Sequence, residues 1–155
     1  MPRYFLEIAY DGTEYSGWQA QPRHTTVQSV LDAALSKLFD KKIVSLGCGR
    51  TDAGVHASQF FLHFDSDLPP HPDLIFRLSR LLPRDIAPKR IIEVADTAHA
   101  RYDATYRAYD YYVHLHKNPF LDRFSFFFPA PAVLDIEKTR RAFDFLHSFS
   151  DFHSF

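Results

Sequence analysis

The stretch Thr25–Leu38, TTVQSVLDAALSKL, sets the architecture of this chain. Val27, Val30, Leu31, Ala34, Leu35 and Leu38 recur at the spacing that gathers them on one helical face. Thr25 and Gln28 fit a T-x-x-Q capping box, in which each side chain satisfies a backbone N–H left free at the helix start. A helix with such a stripe must bury it against other elements, and its neighbours have a different period. Arg3–Tyr10 (RYFLEIAY) is rich in aromatic and branched residues and reads as a strand closed by the turn dipeptide Asp11-Gly12. The segment from there to Arg23 has no periodicity and reads as a long loop. After the helix, Ile43–Cys48 and Ser58–Asp65 (SQFFLHFD) read as strands separated by the glycine-rich Gly49–Gly54. Pro72 and Asp73 open a second helix with the apolar face Leu74, Ile75, Leu78, Leu81 and Leu82, stopped by Pro83. Arg90–Ala95 (RIIEVA) is a further strand. The order is β-α-β-β-α-β, the ferredoxin-like or split-βαβ arrangement of an α/β (α+β) fold.

Farther along, Thr105–His116 (TYRAYDYYVHLH) alternates and predicts a long strand, and Phe124–Phe128 a short apolar one. Asp135 is placed to cap a helix running to about His147. The chain has 155 residues, one domain's worth, and can bury about two-thirds of its unfolded surface. Its 16% aromatic content excludes intrinsic disorder. A single cysteine excludes an internal disulfide scaffold. Met1–Tyr10 carries Arg3 and Glu7 and no apolar h-region, and no run of about 18 apolar residues occurs. Neither a signal peptide nor a membrane span is therefore expected, and the expected location is cytoplasmic.

Net charge is -1, which argues against a uniformly basic nucleic-acid binder. The average conceals an asymmetry: residues 1–76 sum to -3 and residues 77–155 to +2. Arg77, Arg80, Arg84, Lys89 and Arg90 face a single acidic neighbour in that stretch, Asp85. Three of the five glycines lie within Gly47–Ala57, GCGRTDAGVHA. They permit tight turns and close approach of a ligand to backbone, around the polar trio Arg50, Thr51 and Asp52. A polar loop at a strand end is a usual place for functional groups on a rigid scaffold. A surface pair between Arg50 and Asp52 is the plain alternative. A Walker-type phosphate loop is rejected because no Gly-Lys-Ser/Thr follows.

GRTDAGVHA resembles the signature of the TruA family of tRNA pseudouridine synthases. The likeness extends over the chain in order: YDGTEYSGWQAQP (Tyr10–Pro22), Thr26-Val27-Gln28, LPRDIA (Leu82–Ala87), His99-Ala100-Arg101 with Ala104-Thr105 and Tyr109-Asp110-Tyr111, and the closing DFHSF. Gly47-Cys48 and Ala108 depart from that pattern without touching its aspartate.

The resemblance implies an intramolecular transferase that isomerises uridine to pseudouridine in the anticodon stem-loop of tRNA. It makes Asp52 the nucleophile, Arg50 the residue that holds the target nucleotide out of its helix, and Tyr109 the ring that stacks on the target base. A carboxylate suits this work because a covalent adduct divides one difficult step into easier ones. The chemistry needs no cofactor and no metal. Flipping a base out of a stem costs a few kcal/mol, so a residue that fills the gap is a physical requirement. Arg23, Arg77, Arg80, Arg84, Lys89, Arg90, Arg101 and Arg107 are candidate phosphate contacts, which raise affinity without reading sequence.

The family's later motif, a basic residue in an apolar segment that pairs with the nucleophile, has no counterpart among the 155 residues. Residues 1–155 are thus expected to be the N-terminal catalytic half of the pseudouridine synthase fold, with a core at about 3–96 and an extension at 97–155. The C-terminal half would be absent from this chain, which alone would be inactive, and the full-length protein is expected to be a homodimer. Other readings are weaker. A cysteine hydrolase would need Cys48, which lies in an apolar strand where a lone cysteine is usually inert. His114 and His116 share a strand face, yet no cysteine pair or carboxylate cluster completes a metal site. A non-catalytic RNA-binding module of the RRM type shares the ferredoxin-like architecture, but the K/R-G-F/Y-G/A-F pattern is missing.

Overall fold

The computed structural model describes residues 1–130 and 134–151. The elements are β1 (Arg3–Tyr10), α1 (Val27–Phe39), β2 (Leu46–Gly47), β3 (Ala57–Asp65), α2 (Leu74–Leu81), β4 (Ile86–Val94), β5 (Val113–His114), β6 (Phe126–Phe127) and α3 (Ile136–Leu146). Pro131 and the last four residues of the DFHSF motif lie outside the described residues. The chain forms two compact units that divide between Ala108 and Tyr109.

In the first unit, β2-β3-β1-β4 form one sheet in which every neighbouring pair is antiparallel. This is the ferredoxin-like order that the periodicity predicts. Alternation along β1 sends Tyr4, Leu6, Ile8 and Tyr10 into the core with Phe60, Leu62 and Phe64 of β3. Val27, Leu31, Ala34 and Leu35 of α1 and Leu74 and Leu78 of α2 join the same core. Leu81, placed on the buried face by spacing, is instead exposed, because α2 ends there and only Leu82 turns inward.

Three boundaries differ from the sequence reading, each for a physical reason. The N-cap of α1 is Thr26, not Thr25: its side chain accepts from Ser29 N–H, and Ser29 Oγ accepts from Thr26 N–H. Gln28 is freed for another task, accepting from Ala20 N–H at 2.8 Å and donating to the Ser45 carbonyl at 2.7 Å. The strand at Ile43–Cys48 shrinks to Leu46–Gly47. Ile43 and Ser45 give their N–H groups to the α1 side chains Ser36 and Asp32 instead of to a strand ladder. β4 begins four residues earlier than Arg90 and contains Pro88, which is tolerated because β4 is an edge strand and the register slips at Glu7/Ile8.

Asp32 carries a cost. Burial pushes its carboxyl up to about 6, although Ser45 donates to it from both N–H and hydroxyl.

The second unit is thinner. The predicted strand at Thr105–His116 is not formed: only Val113–His114 pairs, in parallel, with Phe126–Phe127, and residues 105–111 lie exposed with no ladder partner among the described residues. Alternation specifies a strand only where a sheet receives it. α3 is capped by Asp135, which accepts from Lys138 N–H at 3.0 Å. His114 is buried against Phe127, with Nδ1 3.0 Å from Ser125 Oγ, while His116 is exposed and outside the strand.

Candidate active site

The loop Gly49–His56 leaves β2 and enters β3 at one end of the sheet. The segment 11–18, which the sequence showed only as an aperiodic loop, clamps it. Trp18 N–H donates to the Thr51 carbonyl at 3.0 Å, and the Tyr10 and Thr51 hydroxyls are 2.9 Å apart. Gly54 N–H donates to the Tyr15 carbonyl at 3.3 Å. Gly12 N–H donates to His56 Nδ1 at 3.1 Å, and the same nitrogen lies 2.9 Å from Asp11 Oδ1. Which of the two it serves depends on whether Nδ1 carries a hydrogen.

Two glycines make this closeness possible. A Cβ at Gly12 would stand 2.0 Å from the Val55 carbonyl oxygen. One at Gly17 would stand 2.4 Å from the Thr51 carbonyl oxygen, and φ there is +81°. Beneath them Trp18 packs on Phe60 at 4.3 Å between ring centres, which fixes the clamp to the core. The clamp is itself braced: Asp11 N–H donates to the Asp85 carbonyl at 2.9 Å and the Tyr15 hydroxyl to Asp85 Oδ1 at 2.7 Å. Burial, with the Asp85 carboxylate beside it, raises the Tyr15 hydroxyl well above its ordinary range. Arg107 holds the other root of the loop, donating from Nε and Nη2 to the Cys48 carbonyl at 3.1 and 2.8 Å and from Nη2 to the Arg101 carbonyl at 2.7 Å.

Arg50 and Asp52 flank the pinned Thr51, and both are exposed. They make no ion pair with each other. Among the described residues no hydrogen bond or ion pair engages either side-chain charge; only the Asp52 carbonyl is used, by Val55 N–H at 3.2 Å. A rigid backbone thus presents an unengaged carboxylate beside an unengaged guanidinium. A carboxylate in that state can act as a nucleophile or stabilise a developing positive charge.

The other expected residues fall into distinct groups. Tyr109 is the first residue of the second unit and is exposed. Lys89 and Arg90 serve the buried Glu7: Arg90 Nε is 2.5 Å from Glu7 Oε2, and Lys89 donates to the Ser58 carbonyl at 2.7 Å with Glu7 Oε1 3.9 Å away. Gln59 and Arg90 hold the Glu7 carboxyl below its usual range. Arg77 and Arg80 lie on α2, with Arg80 over the Phe76 ring at 6.0 Å, and Arg84 lies in the turn into β4. Arg23 has φ 65° in the segment before α1, and Arg101 follows His99 in a tight turn. Among the described residues the side chains of Arg23, Arg77, Arg84 and Arg101 meet no carboxylate. The clamp was missed because irregular backbone has no period; the signal that could have found it is Gly12 and Gly17 bracketing a polar segment after a strand. Cys48 packs against the core cluster. No group of three His, Cys, Asp or Glu side chains among the described residues could hold a metal. No helix among them is long and apolar enough to cross a membrane.

Comparison with known proteins adds an independent finding. The profile of a family described as tRNA pseudouridine synthase matches residues 7–103, which include the clamp, the loop and the Arg101 turn. The chain is 44% identical over its full length to "tRNA pseudouridine synthase A" of Parabacteroides distasonis, covering 62% of that protein. It is 44% identical to the protein of the same name from Bacteroides thetaiotaomicron, covering 57% of it. The counterpart from Thermotoga neapolitana is 36% identical, with 64% covered. The chain therefore spans about 60% of the length of these relatives. The family likeness carried by the motifs is borne out.

Proposed function

This chain belongs to the tRNA pseudouridine synthase family, and on that premise we propose that the protein isomerises uridine to pseudouridine in tRNA, with Asp52 as nucleophile. In this reaction the N1–C1′ bond breaks, the base turns while held, and a C5–C1′ bond forms. N1 gains a proton and the C5 hydrogen leaves. The observation that carries the proposal is the clamped loop that holds the Asp52 carboxylate exposed and unpartnered. Reaction at a bound nucleotide depends on placement to about an ångström, which a loop tied at Thr51, Gly54 and His56 supplies.

Arg50, two residues from Asp52, is assigned to the gap left by the flipped nucleotide, and Tyr109 is assigned the stacking role on the base. Arg77, Arg80, Arg84, Arg101 and Arg23 are the phosphate contacts of this proposal, because Lys89, Arg90 and Arg107 already serve Glu7 and backbone carbonyls. The anticodon stem-loop as target and a homodimeric full-length enzyme belong to the same proposal. A binding-only module of the RRM type is less favoured. The sheet face away from the helices carries the Arg3–Asp65 and Arg90–Glu7 pairs, and its His63 is covered by Ala100, whose N–H donates to it at 3.1 Å.

The test uses the full-length protein and tRNA tritiated at uridine C5. Label release with the native sequence, and its abolition in Asp52→Asn with tRNA affinity retained, is the expected result. Release that persists at the native rate in Asp52→Asn removes the nucleophile assignment.

A further inference from the structure

A shallow cleft of about 120 Å³ lies beside the loop, bordered by Trp18, Gln19, Arg50, His99, Arg101 and Tyr102. Of the trio Arg50, Thr51 and Asp52, only Arg50 lines it. Its size is below that of pockets for drug-sized ligands, so a single planar base suits it better than a larger molecule.

One wall is a run of ring contacts that starts at a buried histidine on the sheet face away from the helices. The His63 ring is buried and meets His99 at 4.6 Å between centres, and His99 in turn meets Tyr102 at 4.2 Å with 31° between the planes. The turn carrying the outer two rings is fixed by its own backbone. Asp103 Oδ2 accepts from His99 N–H at 2.7 Å, Asp103 N–H donates to the His99 carbonyl at 2.9 Å, and His99 Nδ1 accepts from Arg101 N–H at 3.2 Å. Tyr102 is nonetheless 77% exposed. An aromatic ring held by its neighbours with its outer surface in solvent is a platform for a planar partner. Arg50 and Arg101 also line the cleft, and neither is engaged with a carboxylate among the described residues. Aromatic platforms beside unpaired cations are the combination that holds single-stranded nucleic acid.

We propose that this cleft is a second nucleotide subsite, which receives an unstacked ribonucleotide next to the target uridine, its base on Tyr102 and its phosphate against Arg101. The inference rests on the tRNA reading above and deepens it. A target nucleotide drawn out of the RNA toward Asp52 leaves its neighbour without a stacking partner, and Tyr102 replaces that partner. Stacking tolerates any base, so the subsite stabilises the opened RNA without selecting a sequence.

The test is made by binding, so that it does not depend on turnover. Full-length Asp52→Asn is titrated with an anticodon stem-loop RNA and with versions carrying one abasic residue on either side of the target uridine. Tyr102→Ala in that background is expected to weaken binding of the intact RNA roughly 5- to 100-fold. Tyr102→Phe, which keeps the ring, restores it. For one of the two abasic RNAs, loss of the base weakens the native side chain by a similar factor and weakens Tyr102→Ala no further. Arg101→Ala lowers affinity for intact and abasic RNA alike and reduces the salt dependence. Because Tyr102 is solvent-exposed, these variants keep their fold, which circular dichroism checks. Unchanged affinity in Tyr102→Ala overturns the subsite, and so do independent losses with both abasic RNAs. Absence of tritium release from the native protein would count against the catalytic reading, while the binding cycle still decides the cleft.

Discussion

Gly12→Ala tests whether the clamp, rather than the loop's own sequence, places Asp52. The added Cβ would lie 2.0 Å from the Val55 carbonyl oxygen and 2.7 Å from the carbonyl carbon. Ordinary contact begins near 3.4 Å, so one of the two segments must retreat by roughly 1.4 Å. The obstacle is backbone, with no flexible side chain to swing aside. Segment 11–18 is anchored through Trp18 on Phe60 and through Asp85, so the displacement falls on the loop that carries Asp52 three residues before Val55. Forced overpacking of this kind costs about 1–3 kcal/mol, a loss of a few degrees in Tm for a chain of this size. The catalytic effect is larger than the stability effect, since an ångström of misplacement lowers kcat on the order of 100-fold. Tritium release under saturating tRNA, tRNA affinity and thermal unfolding are measured together on the full-length protein. A kcat drop of that order with affinity and fold retained is the expected pattern. Gly49→Ala, whose Cβ would meet only the Arg107 side chain at 3.7 Å, is the folding control and leaves Tm unchanged. A Gly12→Ala enzyme with kcat within threefold of the native value refutes the clamp.

Other consequences are as direct. Thr26→Ala removes the N-cap of α1 and lowers stability by about 1 kcal/mol in denaturant titration, whereas Thr25→Ala, outside the cap, leaves it unchanged. Gly47→Ala drives a Cβ to 2.6 Å from Trp18 Nε1 and 2.7 Å from Phe60 Cζ, so unfolding at lower temperature is expected, together with altered Trp18 fluorescence. Two buried groups oppose each other between about pH 4 and 6. Asp32, raised to about 6, loses stability as pH rises through that window, because the unfolded chain ionises first. His63, lowered to about 4 chiefly by burial, loses stability as pH falls, because the unfolded chain protonates first. Chemical denaturation against pH should therefore be nearly flat in the native protein, decline on acidification in Asp32→Asn, and rise on acidification in His63→Gln. Equal slopes in all three proteins would exclude this account.

What could be read from the sequence is what repeats. β1, α1, β3 and α2 have residues recurring at period two or near 3.6 over eight or more positions, and each appears within a residue or two of its expected place. β2 was overextended because its apolar residues look strand-like, while Asp32 and Ser36, distant in sequence, claim the backbone of residues 43–45. Residues 105–111 alternate as well as β3 does, yet no sheet edge receives them among the described residues. Arg50 and Asp52 are legible as a candidate site because glycines surround charged residues at a strand end. The clamp is not, since its bonds run between Tyr10–Trp18 and Thr51–His56 across some 40 positions of chain.

The basic residues teach the same lesson about charge. Counted along the chain, Arg77 to Arg90 form one stripe; in three dimensions they serve two purposes. Lys89 and Arg90 stand on β4 opposite Glu7, whose carboxylate is buried between β3 and β4 and needs compensation wherever RNA is. Removing Arg90 takes away the guanidinium paired with that charge, so such a variant loses stability before it loses affinity. Arg84 has no such duty, yet it precedes Asp85, the residue that braces the clamp through Tyr15 and Asp11. A phosphate held at Arg84 would therefore be gripped one residue from the structure that positions Asp52. If the proposed roles hold, RNA affinity at this corner and placement of Asp52 share the same short turn, and Arg84→Ala separates them: tRNA affinity falls and its salt slope lessens by about one, while kcat at saturation holds. If kcat falls instead and the salt slope stays, Arg84 supports the brace and contacts no phosphate.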